Sequence, residues 1–189
     1  MAQVLILLFL FTVCNITADE STNFKVLPFS VLKLKKTVLQ KYEESCGAAA
    51  LATIMNLYGQ QINEKQIIDK ASTSDMLSFA QMAEISKDFG FNSSGYKIDI
   101  EIFESLKVPV IARIDNRENY AHFVVVMNHN GDFVSIFDPS FGYYIQNKKE
   151  FFKWWSEETY GYILVVMPEK ITSFPIIPLN LPNQLLFIH

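Results

Sequence analysis

Cysteine is scarce in this chain: 189 residues hold two, Cys14 and Cys46. Loss of a leading segment would leave Cys46 alone, which excludes an internal disulfide in an oxidising compartment. Charge is also sparse and slightly one-sided. A formal net charge of −4 leaves no electrostatic footprint for nucleic acid. The one basic cluster, Lys33, Lys35 and Lys36, reads as a solvated edge. No pair of Cys, His or acidic residues has metal-ligand spacing, and no glycine-rich phosphate loop occurs. The expectation is chemistry without a metal or a cofactor. Internal repeats and low-complexity stretches are missing too.

What the chain does have is apolar mass. Half of its residues are apolar and 14% are aromatic, enough for one well-packed domain and too little length for two. The apolar run at residues 4–13, interrupted by Thr12, has signal-peptide length and falls short of the roughly 20 residues of a spanning helix. It predicts export to the periplasm or beyond, with a cut after Ala18; an uncleaved membrane anchor is the alternative. The expected organisation is a signal segment (1–18), an N-terminal extension (19–37), a catalytic domain (38–168) and a tail (169–189). That tail carries three prolines among Ile, Leu and Phe, so it suits neither a central strand nor a free linker. It is expected to wrap the body or dock on a partner.

Periodicity divides the domain in two. Helices are predicted over 46–58, closed by Gly59, over 63–70 with Asn63 as cap, and over 74–88 closed by Gly90. Ser45 is expected to cap the first. After Gly90 the pattern becomes extended: strands over 91–98, 108–114, 122–127, 133–137, 141–145 and 160–167, with short helices at 100–106 and 147–155. Asn128-His-Asn-Gly-Asp132 signals a hairpin. Helices first and an antiparallel sheet second make an α+β domain.

Cys46 opens the first helix, and its neighbours give it meaning. The run is Gln40-Lys-Tyr-Glu-Glu-Ser-Cys46-Gly-Ala-Ala-Ala-Leu-Ala. The nucleophile of a cysteine hydrolase is a thiolate, and a helix start offers unpaired backbone N–H groups to a negative charge there. The small residues after Cys46 are expected to leave room for a peptide carbonyl. Gln40 can donate a side-chain N–H to an oxyanion beside the backbone N–H of Cys46. His122 heads a strand and suits a general base. Asp138, before Pro139, can fix the imidazole tautomer. Each has a plainer reading: a buried small apolar cysteine, a surface glutamine, a core histidine, a turn aspartate. His129 and His189 are given no role.

The combination resembles the bacteriocin-leader, or double-glycine, cysteine peptidases. The first motif matches that family in spacing and composition. Ala121-His122-Phe-Val-Val-Val and Phe137-Asp138-Pro139-Ser-Phe-Gly142 match its His and Asp-Pro elements, with a similar gap between them. The aromatic helix at 151–155 and Gly161-Tyr-Ile-Leu-Val-Val resemble its last elements, so the likeness covers residues 38–167. It implies a papain-like fold, with N-terminal helices packed on a C-terminal antiparallel sheet. It also implies Cys46 as nucleophile, His122 as general base, Asp138 as orienter and Gln40 as oxyanion donor. The expected substrate is a peptide or protein cut after small residues such as a double glycine, and a membrane-associated secretion partner is a further expectation. The domain is expected to be free-standing, and the sequence leaves its oligomeric state open. A non-catalytic peptide-binding or assembly module, and an acyltransferase or transglutaminase-like enzyme, would use the same constellation.

Overall fold

The computed structural model describes residues 36–71, 75–115 and 121–170. The expected signal segment, nearly all of the N-terminal extension and the tail from residue 171 onward lie outside the described residues. The first helix, α1 (Cys46–Leu57), buries every residue except Asn56. A helix that is small and apolar on all sides belongs at the centre of a protein. Alanine favours it intrinsically, and Gly59, at φ 95°, turns the chain out beyond Tyr58. The Asn56 side chain then ties both backbone groups of Ile62, at 2.7 and 2.8 Å, and fixes the approach to α2 (Glu64–Ile68). Asn63 caps α2 as expected, in a reciprocal capping box with Gln66.

The third helix, α3, is Phe79–Lys87, shorter than the predicted 74–88. Ser78 and Gln81 form a capping box, and this local signal sets the start. Leu77 fits the helical period but lies ahead of the helix, buried in the core. Then follow β1 (Phe91–Asp99), α4 (Ile100–Ser105), β2 (Val110–Asp115), β3 (Ala121–Asn128), β4 (Phe133–Asp138), β5 (Gly142–Asn147), α5 (Lys148–Trp155) and β6 (Tyr160–Pro168). The predicted strand at 108–114 begins only at Val110, because Pro109 has no N–H for a ladder.

The six strands form one antiparallel sheet in the order β1-β6-β2-β3-β4-β5. The last strand therefore inserts between the first two. Alternate residues face opposite cores. Phe123, Val125, Met127 and Phe137 meet α1 and its neighbours. Val124, Val126, Val134 and Ile136 face a second core, built on Phe103, Phe151 and Trp155. The α+β expectation holds, with one addition: α4 and α5 supply the aromatic cover of the second face. Phe103 stands 4.7 Å from Trp155 and 5.3 Å from Phe151, ring centre to ring centre. Among the described residues, no helix is long and apolar enough to cross a membrane.

Gly161 lies under the indole of Trp155, whose Nε1 donates to the carbonyl of Tyr162 at 3.2 Å. A Cβ on Gly161 would collide with the indole ring and with the Trp155 carbonyl. Gly161→Ala should therefore destabilise the domain by about 1–3 kcal/mol, the usual cost of overpacking. Gly95→Ala, whose Cβ would meet neighbours at 3.8 Å, is the control. Urea denaturation of both variants checks this; equal midpoints would refute the clash.

Candidate active site

Cys46 is the first residue of α1, and the preceding loop closes on itself. Ser45 occupies the N-cap position but does not cap, contrary to expectation. Its φ of −97° and ψ of 11° are not the extended geometry of a capping residue. Its hydroxyl is used on Tyr42 instead, donating to the carbonyl at 2.7 Å and accepting from the N–H at 3.1 Å. Gly47 also departs from expectation. A Cβ there would meet Met82 at 2.8 Å and Leu77 at 3.3 Å, so its smallness serves close packing of α1 on the α3 segment.

His122 pairs with Ile114 of β2, and Asp138 ends β4 opposite Gly142. The β3–β4 ladder begins only at Val125↔Phe137, so the two strands no longer pair where His122 and Asp138 sit. There His122 Nε2 lies 2.9 Å from Asp138 Oδ1. An ionised carboxylate only accepts, so this contact assigns the proton to Nε2. The Cys46 thiol lies near enough to the same imidazole to act on it electrostatically, and with Nε2 taken by Asp138 the nitrogen left to face it is Nδ1. All three are enclosed: Cys46 is 3% exposed, and the side chains of His122 and Asp138 are 14% and 4% exposed.

Burial alone would push the His122 pKa down. The hydrogen bond and charge of Asp138, with a further contribution from Cys46, outweigh it and raise the imidazole to about 9. Asp138 is itself well held. Its Oδ1 accepts from the Ser140 N–H at 2.8 Å, and its Oδ2 accepts from the Tyr144 hydroxyl at 3.4 Å. Burial and the nearby carboxylate raise the Tyr144 pKa, so the hydroxyl stays neutral and able to donate. The Ser140 contact is an Asx-turn, so the plain reading of Asp138 as a turn residue and its place beside His122 are both correct.

Gln40 is brought to the Asp138 turn, and its amide is already engaged. Its backbone N–H donates to the Pro139 carbonyl at 2.9 Å. Its Nε2 donates to the carbonyls of Tyr42 and Glu43 at 3.0 and 3.2 Å, and its Oε1 accepts from Ser140 Oγ at 3.0 Å. The next residue, Lys41, donates its N–H at 2.9 Å to Glu64, a buried carboxylate at the start of α2. Ser140, Tyr144 and Glu64 were not singled out from the sequence. For Ser140 the signal was there, two positions after Asp138 and directly after Pro139. For Glu64 there was none, since helix-start acids are common.

His129 takes no part in this cluster. Its Nε2 lies 2.8 Å from Ser135 Oγ, which reaches the Tyr143 hydroxyl at 3.1 Å. Burial, then the Lys148 charge, lower the His129 pKa. Ser135 is fully buried, so this chain ties the hairpin together. Two grooves share Leu77 and are lined by chain neighbours of Cys46 and His122 rather than by the cluster itself. One, of about 320 Å³, runs along Tyr42, Ser45, Ala48 and Ile68. The other, of about 340 Å³, runs along Phe79, Arg113, Ala121 and Phe123, on either side of His122.

Residues 34–171 match the model of the Peptidase C39 family. The chain belongs to the peptidase C39 family. It is a cysteine peptidase of the double-glycine, bacteriocin-leader type. It is 30% identical to a probable functional amyloid protease, FapD, of Pseudomonas aeruginosa, over 90% of this chain and 88% of that protein. It is also 30% identical to the lactococcin-G-processing and transport ATP-binding protein LagD of Lactococcus lactis, across 65% of this chain but only 18% of LagD. Among solved structures, the peptidase domain of Streptococcus ComA superposes with a TM-score of 0.62 at 22% identity, covering 70% of this chain and 97% of that one. A double-glycine-motif protease from an AMS/PCAT transporter, solved with its leader peptide, gives 0.60 at 24% identity, covering 70% and 90%. These two show that the C39 domain has the papain-like fold.

The raised His122 pKa makes a stability prediction for this C39 domain. A histidine raised from 6.5 to about 9 stabilises the fold fully below pH 6.5 and loses that contribution as pH rises through 9. Urea unfolding of wild type and His122→Ala should show the widest stability gap at pH 6 and a narrower one at pH 9.5. A gap that widens with pH would refute the charged-imidazole assignment.

Proposed function

We propose that this chain is an exported peptidase that cuts a polypeptide after small residues, with Cys46 as nucleophile, His122 as proton carrier, Asp138 as orienter and Gln40 as oxyanion donor. The observation that carries the reading is one imidazole held by the Asp138 carboxylate at 2.9 Å and lying within the electrostatic reach of the buried Cys46. Asp138 on Nε2 turns Nδ1 toward the sulfur. A proton on Nδ1 then stands ready for the leaving amine.

The reaction follows from these positions. The Cys46 thiolate attacks the scissile carbonyl, and the C–S bond forms as the carbonyl π pair moves onto oxygen. The Cys46 backbone N–H and the Gln40 amide receive that oxyanion. Gln40 gives up a carbonyl to do so; Glu43, at the longer 3.2 Å, is the weaker of its two ties. The C–N bond breaks as His122 gives its proton to the amine. Neutral His122 then takes a proton from water, the hydroxide adds to the thioester, and collapse releases the acid and restores the thiolate–imidazolium pair.

Substrate choice follows from enclosure. A cysteine 3% exposed, with Leu77 common to two neighbouring grooves, suits a segment without bulk at the bond to be cut. Export is supported by the apolar run at 4–13, with maturation after Ala18 and the 38–168 domain as the working unit. Likeness to FapD, a probable functional amyloid protease, along most of both chains supports an amyloid-forming polypeptide as the physiological context.

Cys46→Ala and His122→Ala should each abolish turnover while the fold persists. Gln40→Ala should lose roughly 10²–10³ in rate, the usual worth of one oxyanion donor. Asp138→Asn should be slower but still active, with the imidazole misdirected rather than missing. A fully active Gln40→Ala would remove the oxyanion assignment. The rate profile should fall on the alkaline side near pH 9, where His122 loses the proton destined for the amine. Peptides with Gly-Gly, Ala-Ala or Leu-Leu before one bond should be cut in decreasing order; equal rates for Gly-Gly and Leu-Leu would exclude selection by size. An intact Met1 on soluble native protein, seen by mass spectrometry, would count against export.

A further inference from the structure

We infer that Ser140 is a positioning residue that holds the Gln40 amide by its oxygen and so frees its nitrogen for the oxyanion. The inference rests on the oxyanion role proposed for Gln40. Ser140 touches both halves of the site. Its N–H donates to Asp138 Oδ1 at 2.8 Å, and its hydroxyl donates to Gln40 Oε1 at 3.0 Å. The preceding residue, Pro139, accepts the Gln40 backbone N–H at 2.9 Å. The turn that orients the imidazole's partner is therefore the turn that holds the glutamine, 100 residues away in sequence.

The chemical sense lies in which end of the amide is tied. A carboxamide has an acceptor oxygen and two donor hydrogens. Both hydrogens of Gln40 rest on the carbonyls of Tyr42 and Glu43, which can only accept and so fix which end is nitrogen. An oxyanion needs one of those hydrogens. If the donors were the side chain's only ties, engaging the oxyanion would loosen the group that must hold it. Ser140 grips the end that the reaction does not use. The amide can then pivot about its oxygen, release Glu43 and keep Tyr42. Without the hydroxyl, a half-exposed glutamine regains rotamer freedom, and freezing it again costs rate at the transition state.

The test compares Ser140→Ala, Ser140→Thr, Gln40→Ala and the Ser140→Ala/Gln40→Ala double variant of the full chain. Each is assayed for kcat and KM on a Gly-Gly peptide, and for the rate at which iodoacetamide alkylates Cys46. Alkylation forms no tetrahedral oxyanion, so it reports the thiol–imidazole pair alone. Ser140→Ala should lose about three- to tenfold in kcat, the scale of one partly exposed neutral hydrogen bond. Its KM and alkylation rate should stay at wild-type values. Ser140→Thr, which keeps the hydroxyl, should restore kcat, and the double variant should be no slower than Gln40→Ala. A loss that adds fully to that of Gln40→Ala would overturn the inference. So would an equal fall in alkylation, which would mean that Ser140 acts through Asp138 and His122. Slow Gln40→Ala beside wild-type Ser140→Ala would overturn this inference alone. Wild-type turnover in Gln40→Ala would overturn the oxyanion reading and this inference with it.

Discussion

One imidazole has to face two partners that the fold begins by placing on different sides of a sheet. Cys46 belongs to the core on the α1 face, with Phe123 and Val125. His122 and Asp138 share the register of Val124 and Ile136, which face the opposite core. The three meet because β3 and β4 cease to pair beyond Val125↔Phe137. Continuing that ladder would put backbone hydrogen bonds where the imidazole now sits. Much else in the domain serves to hold the start of α1 at this opening: a helix buried on nearly all sides, a glycine at its second position packed on Leu77 and Met82, and a preceding loop closed by Ser45 on Tyr42.

Charge makes this opening a demanding place. Removing an imidazole from water favours its neutral form, and the balance runs the other way because the Asp138 carboxylate bonds it at 2.9 Å and Cys46 adds to the pull. The carboxylate is in turn supported by a backbone N–H and a neutral hydroxyl, so its charge is shared without further ions. Desolvation of the buried groups offsets part of that attraction, and what remains as stability is carried by the charged imidazole and is lost as pH rises through about 9. Removing one member is costly all the same, because the others are left charged and unpartnered. Chemistry, more than stability, accounts for it.

The helices, the strands and the hairpin were legible because their signals are local: alanine and glycine around α1, the Asn63–Gln66 box, alternation after Gly90. The start of α3 was misplaced, since Met76 and Leu77 fit a helical period while serving the core from an irregular segment. Ser45 looked like a cap, but a side-chain preference cannot reveal that its hydroxyl has a nearer partner. Cys46, His122 and Asp138 could be named as a set, and their order in the chain was informative. Their meeting at a point of lost strand pairing was not, because ladder ends depend on contacts distant in sequence. The same reason hid Ser140 and Glu64. Both act on the Gln40 loop from far away in the chain, by bonds that no window of sequence contains.

Burial of the sulfur bears on both selectivity and survival. The proposed site of action lies outside the cytoplasm, where a free thiolate with an open approach would exchange with other disulfides and thiols. Exchange needs an incoming sulfur to line up with the attacking one, on a chain bulky enough to carry it. A peptide bond flanked by glycine needs much less room. The enclosure that admits a slim backbone segment therefore also excludes a protein disulfide. On this reasoning selection for small residues and protection of a lone cysteine are one geometric property, and widening the cleft at Leu77 would erode both together.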